Sequence, residues 1–456
     1  MVTLNKSSND ILEQVIAICL LFLIAVLPLI VNPGAIDFWY RPKAHSMYAL
    51  LVLVGGCVLV RRIVYRRSLP SLELNLAVPL CCYALSAAIS TIFSIAPRLS
   101  LCGDIWREES VATLLSYTAL TYVFASLVRS EEQAVSLLRS LLVTSFLVSL
   151  YGCLQYGGFN PTEHFIPRYR GTYINSTMGN ANFLGKFIVL TLPLSISACL
   201  IETSRKKKQM FAISIGIHIA ALLLTFTRAS WIACAGAIFM YVLLLRRVSI
   251  GIHLRTIIVW GIGLGCIVAV VLSCLSSTAP HERRFFSTLQ AKIAGSFDVE
   301  RGMGSGTRLF VWRKSIALIC NRPLFGYGPD AHVVAMHAFN AEYIRRFNNP
   351  VLLDRAHNNY LDTAIAQGLV GLGAYCWILA VCLFRLHGAI RDTRRTDRKI
   401  MYIGLFSAFF GYLINDIFIF SIVTVSPTFW ALMGLAYSLR RFETGCTSVA
   451  PSPTMS

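Results

Sequence analysis

The stretch Asp354-Arg355-Ala356-His357-Asn358-Asn359-Tyr360-Leu361 decides the fold, because it runs straight into an apolar segment that reaches about Phe384. That segment supplies the roughly 20 residues a membrane-spanning helix needs. A histidine and an arginine therefore stand where a spanning helix meets water. Polar groups at that depth are costly unless they are paired or used, so this stretch is the first candidate for a functional site.

The rest of the chain agrees with a membrane setting. Of 456 residues, 56% are hydrophobic and only 14% charged, with a mean hydropathy of +0.64. Soluble globular proteins carry about 25% charged residues. The net charge of +19 could suggest nucleic acid. However, the basic residues fall in short blocks between apolar runs: Arg61-Arg62, Arg66-Arg67, Arg205 to Lys208, Arg246-Arg247, Arg394-Arg395 and Arg440-Arg441. That is the positive-inside pattern of a polytopic membrane protein, with no aromatic-interleaved basic face for nucleic acid. Most of the 14 cysteines lie within apolar runs and read as small core residues, without disulfide or zinc spacing.

Length and apolar content give about twelve spans. They cover approximately 11–31, 44–60, 74–95, 110–128, 134–156, 182–201, 210–227, 229–245, 256–275, 357–384, 400–419 and 421–439. The expected architecture is an all-α polytopic membrane protein. Residues 1–275 hold spans one to nine, 276–356 form one large extracytoplasmic loop, 357–443 hold spans ten to twelve, and 444–456 form a disordered cytoplasmic tail. Both termini and the basic blocks are expected in the cytoplasm. A second outside segment, 157–181, contains Arg168, Arg170, Asn175 and Asn180, with Asn182 at its end.

Two more residues fall on the His357 side. Arg228 lies in Thr227-Arg228-Ala229-Ser230-Trp231, between two apolar runs with almost no loop. The turn must be tight, leaving the guanidinium at the lip of the bundle. Arginine is permanently charged and shaped for bidentate contact with phosphate oxygens. A lone interfacial arginine otherwise snorkels to lipid headgroups. Arg308 follows Gly304-Ser305-Gly306-Thr307 at an expected helix start. Free N–H groups and a partial positive charge there suit a phosphate, although a simple helix cap would use the same residues. His357 stands at the N-terminus of the tenth span, where the helix dipole disfavours its protonated form. A neutral imidazole accepts a proton from an attacking hydroxyl. Asp354 or Asn358 is placed to orient it. The only Asp/Glu spacing suggestive of a metal, Asp298-Val299-Glu300, is weak. The arginines stand where a metal would compensate the charge of a diphosphate, so neither metal nor cofactor is expected.

At this point the chain resembles the O-antigen ligase and O-antigen polymerase family of membrane glycosyltransferases. The matching pieces are Gly103-Asp104-Ile105-Trp106-Arg107-Glu108, Met178-Gly179-Asn180-Ala181-Asn182-Phe183, Thr227 to Trp231, Arg308 to Trp312, Pro323-Leu324-Phe325-Gly326-Tyr327-Gly328 and Arg355-Ala356-His357-Asn358. They cover roughly residues 100 to 380, in the family's order. Glu109 departs from it, standing where many relatives have glycine. The resemblance implies inverting, metal-independent transfer of a glycan from an undecaprenyl-diphosphate carrier to a lipid, glycan or protein hydroxyl, outside the inner membrane of a bacterium. It implies that Arg228 and Arg308 bind the carrier diphosphate and that His357 activates the acceptor. Arg355, Asn358, Asp354, Trp312 and Asn182 are expected to support them. The alternative from another class is a transporter of a small anion such as bicarbonate. It would place ionisable groups near the membrane midplane, whereas most here sit at span ends.

Overall fold

The computed structural model describes residues 2–34, 37–66, 72–161, 174–247, 263, 305–348, 350 and 352–443. The expected ninth span apart from residue 263, together with Arg168, Arg170, Asp298, Glu300 and the tail from Thr444, lies outside them. Within them the chain is a multi-pass, all-helical membrane protein, with no strand among the described residues. The helices are α1 (Val2–Leu21), α2 (Tyr40–Ile63), α3 (Leu74–Ile92), α4 (Pro97–Cys102), α5 (Val111–Leu127), α6 (Glu131–Tyr156), α7 (Ala181–Ile201), α8 (Arg205–Leu224) and α9 (Arg228–Arg247). They continue with α10 (Ser305–Asn321), α11 (His332–Met336), α12 (Asn340–Phe347), α13 (Asn359–Asp392), α14 (Thr396–Asp416) and α15 (Ser426–Glu443).

Eight described helices are long and apolar enough to cross a membrane: the segment Asp10–Leu29, α2, α3, α6, α7, α8, α9 and α13. The shorter α5 is also apolar, and α14 and α15 occupy the places expected for the last two spans. Packing follows the apolar faces: α15 lies against α5, α14 against α7 and α9, and α13 against α3. At one end of the bundle the basic blocks are tied by ion pairs, including Arg395–Glu131 at 3.2 Å and Arg440–Asp392 at 3.1 Å. Arg228, at the start of α9, lies at the other end from Arg246 and Arg247.

The tenth span differs from a straight helix beginning at His357. The α13 segment is broken at Gly368, whose φ of +70° favours glycine. A straight helix rises about 1.5 Å per residue, which would part Asn359 from Tyr375 by roughly 24 Å. Instead Asn359 Nδ2 donates to Tyr375 Oη at 3.3 Å. The chain therefore doubles back at Gly368, and the short helix before it runs beside the span that follows. Apolar content gives the length of such a segment but not its direction.

The break is sealed by the Pro323–Gly328 loop. Tyr327 and Gly328 donate their N–H groups to the carbonyls of Ile365 and Ala366 at 2.8 and 2.9 Å, and Leu369 N–H donates to Pro323 O at 2.7 Å. Ser90 Oγ, from α3, also donates to Ala366 O at 2.5 Å. The approach is so close that a Cβ at Gly326 would come within 2.3 Å of Ile365 O. Non-helical backbone in a membrane protein needs such internal partners.

Candidate active site

Arg355 forms the floor. It is 5% exposed and donates from Nη2 to Asp330 Oδ1 and from Nη1 to His332 Nδ1, the latter at 2.8 Å. Arginine only donates, so His332 accepts at Nδ1 and donates from Nε2 to Asp362 O at 2.8 Å. Burial, followed by the Arg355 charge, holds the His332 pKa well below the usual histidine value, which agrees with this neutral tautomer. Asp330 Oδ2 accepts from the N–H groups of Asp104 at 2.7 Å and Glu109 at 3.2 Å. One carboxylate thus fastens the 104–109 loop to the arginine beside His357. Burial raises the Asp330 pKa while Arg355 opposes the rise. Removing one partner of a buried pair strands the other charge. Arg355→Met should therefore destabilise the fold by about 3–5 kcal/mol, read as a lowered unfolding midpoint in detergent. An unchanged midpoint would show that the Asp330 charge needs no partner.

Above this floor, Asp354 accepts from Arg107 Nε at 2.9 Å and from Arg107 Nη2. Burial pushes the Asp354 pKa upward, but Arg107 outweighs it and the net shift is downward. Arg107 also lies 5.0 Å from the Phe420 ring, and Arg355 lies 5.8 Å from it. The His357 ring packs on the same phenyl group, centroid to centroid 5.4 Å. Phe420 also lines a cavity of about 30 Å³, together with Glu109, Asp330, Arg355, Asp362 and Ser421 among others. That is room for bound water. Glu109 accepts from Tyr117 Oη at 2.6 Å, and burial lifts its pKa to about 7.

His357 precedes the helix cap rather than opening the helix. Asn358 is the cap, accepting from the N–H groups of Tyr360 and Leu361 at 3.0 and 3.1 Å. His357 has φ +51°, a left-handed conformation that non-glycine residues seldom adopt and that is often found at functional sites. His357 is exposed. Its pKa is pushed down to about 4, first by burial; Asp354 opposes, and Arg308, Arg107 and Arg355 add to the drop. Solvent access moderates the burial contribution, but the direction stands and the imidazole is neutral near pH 7.

Arg228 is the first residue of α9 and is exposed. The turn before it is tight. Phe226 has φ +52°, the Thr225 and Thr227 hydroxyls bond at 2.8 Å, and Trp231 Nε1 donates back to Leu222 O at 2.9 Å. Arg308, in the first turn of α10, is half-buried with its guanidinium 5.9 Å from the Phe418 ring. Burial and then the Arg228 charge lower the Arg308 pKa. Arg308 in turn lowers that of His357. This chain of influence brings the three residues into one electrostatic neighbourhood. Neither α9 nor α10 has an acidic residue in its first turn. A cation there opposes the helix dipole, an arrangement suited to an anion between them.

Trp312, one turn after Arg308, donates from Nε1 to Ala356 O at 3.0 Å. Asn182 is exposed on the first turn of α7, its N–H held by Asn180 Oδ1 at 2.8 Å. The sequence reading did not pick out Asp330, His332, Asp362 or Phe420. An aspartate at position 362, inside an apolar span, was the one signal that could have found part of this group. Among the described residues no three His, Cys, Asp or Glu side chains gather as a metal-binding group.

Residues 211–376 match the family model described as O-antigen ligase. Among curated proteins, the general O-oligosaccharyltransferase of Acinetobacter baylyi (strain ATCC 33305 / BD413 / ADP1) is 23% identical over 264 residues, covering 56% of this chain and 43% of the relative. The chain thus spans less than half the length of that protein. Arg228, Arg308 and His357 all fall inside the segment that is similar to the O-antigen ligase model.

Proposed function

We propose that this protein transfers a glycan from an undecaprenyl-diphosphate carrier to an acceptor hydroxyl, with inversion and without a metal, as an O-antigen ligase or surface-polysaccharide polymerase. The observation that carries the reading is the pairing of two helix-start arginines with a neutral histidine. His357 takes the proton from the acceptor hydroxyl as its oxygen attacks the anomeric carbon. The bond from that carbon to the carrier breaks, and its electron pair leaves with the diphosphate. Arg228 and Arg308 hold that departing charge, the role a metal plays elsewhere. The similarity to the A. baylyi O-oligosaccharyltransferase supports an oxygen acceptor. A lipid, a glycan or a protein could supply it.

An anion transporter would use charged groups along the middle of its spans. Lys186, the buried cation of α7, is instead closed off by Asp416 at 2.5 Å and Phe420 O at 3.2 Å. Asp416 is further held by Asn359 at 3.0 Å and Tyr375 at 2.9 Å. This favours the enzyme.

The deciding experiment incubates purified protein with undecaprenyl-diphosphate-linked glycan and lipid, glycan or protein acceptors. Transfer to one of them is expected. A folded protein that transfers to none of the three classes would sink the reading. In this reading the site faces the outside of the bacterial inner membrane with both termini inside, and the gathering of basic blocks at the other end supports it. Cysteines placed at exposed Arg345 and Lys206, in a cysteine-free background, test this: an impermeant reagent should label position 345 but not 206 in intact cells. The reverse pattern would invert the orientation.

A further inference from the structure

Ala356 is fully buried, and both of its backbone polar groups are claimed by side chains. Its carbonyl accepts from Trp312 Nε1 at 3.0 Å, and its N–H donates to Asp362 Oδ1 at 2.8 Å. The two side chains come from different elements. Trp312 stands on α10, four residues and so about one turn after Arg308, on the same face. Asp362 stands in the first turn of α13 and reaches back past the Asn358 cap. The next residue along the chain is His357, in its left-handed conformation.

We propose that Trp312 and Asp362 are positioning residues that clamp Ala356 from both sides and thereby aim His357. The proposal rests on the glycan-transfer reading for its kinetic consequences, though not for its structural one. A left-handed conformation persists at a bulky residue only when its surroundings over-determine it. Here the carbonyl immediately before His357 is fixed by the indole N–H, and the N–H one step earlier is fixed by the carboxylate. Because the indole rides on the helix that carries Arg308, one hydrogen bond also sets the spacing between the anion-binding arginine and the histidine. Asp362 is in turn held in place: its own carbonyl accepts from His332, whose other nitrogen receives Arg355. The buried floor is therefore linked through His332 and Asp362 to the N–H of Ala356, the residue before His357.

Three variants test the clamp. Trp312→Phe removes the indole N–H but keeps an aromatic ring, Asp362→Ala removes the acceptor, and Asp362→Asn retains one. The first readout needs no turnover. Histidine labelling by diethyl pyrocarbonate is followed at His357 by peptide mass spectrometry. Labelling should rise several-fold in Trp312→Phe and Asp362→Ala and stay near wild type in Asp362→Asn. The second readout is kinetic. With lipid-linked donor, kcat should fall by about 10²-fold in the first two variants, the cost of a displacement of about 1 Å, with KM for the donor unchanged. In the His357→Ala background the same changes should cost nothing further, since a residue acting through His357 is silent once it is gone. Unchanged His357 labelling in folded Trp312→Phe protein would overturn the clamp, as would losses that add fully to that of His357→Ala. If the wild type transferred no glycan, the labelling alone would decide the clamp, and the failure would belong to the proposed activity. Should Asp362→Ala not fold, Trp312→Phe carries the test.

Discussion

His357→Ala will slow the chemical step by about 10²–10⁴-fold while leaving donor binding nearly intact. The separation follows from geometry: the cations that would hold a diphosphate are Arg228 and Arg308, on two other helices. The pH profile adds a second check. A general base works only when deprotonated, so turnover must rise as pH climbs through its pKa and level off above it. The His357 pKa is pushed below the usual histidine value, so the rise belongs in the acidic range and the plateau extends through neutral pH. Single-turnover rates and donor affinity across pH for wild type and variant will show this. A full chemical rate in the variant would remove His357 from the reaction, whereas a loss of donor affinity alone would recast it as a ligand of the diphosphate.

Arg228→Lys will lose most activity, by about 10²–10³-fold if it removes one contact to the departing charge. Lysine keeps the positive charge at the start of α9 but cannot make the paired, planar contact that arginine offers phosphate oxygens. Its flexible stem also does not hold the position that the Thr225–Trp231 turn gives the guanidinium. Expression and unfolding temperature should change little, because Arg228 is exposed. Near-wild-type turnover in the lysine variant would return Arg228 to the simpler role of an anchor among lipid headgroups.

Much of this molecule is readable in the order of its residues. Apolar runs long enough to span, divided by basic blocks, specify an all-helical membrane bundle. An arginine with no loop on either side, or one behind a glycine-rich helix start, is conspicuous against that background. So is a histidine at the mouth of a span. These three signals are local, which is why Arg228, Arg308 and His357 stood out. The partners beneath them are not local. Arg355 meets residues more than twenty positions earlier in the chain, and Asp330 meets Asp104. Such pairings leave no periodic trace. The reversal at Gly368 is equally silent, because hydropathy is the same whether an apolar helix continues or folds back. The departure at Glu109 becomes intelligible only when its carboxyl is seen buried against Tyr117 beside Asp330.

The seal over the helix break bears on how the protein is assembled. The carbonyls of Ile365 and Ala366 and the N–H of Leu369 find their partners in chain that was synthesised earlier. The α13 segment therefore cannot finish its own hydrogen bonding by insertion alone. It must meet the 323–328 loop, and each of these groups left unmet in lipid costs several kcal/mol. The backbone pairing of this segment is accordingly complete only once that loop has closed on it. The same interdependence sets the safe joints for hybrids between relatives: a crossover after residue 369 keeps the whole seal within one parent, one between residues 96 and 322 parts Ser90 from Ala366, and a cut between 323 and 369 splits the backbone bonds of the seal.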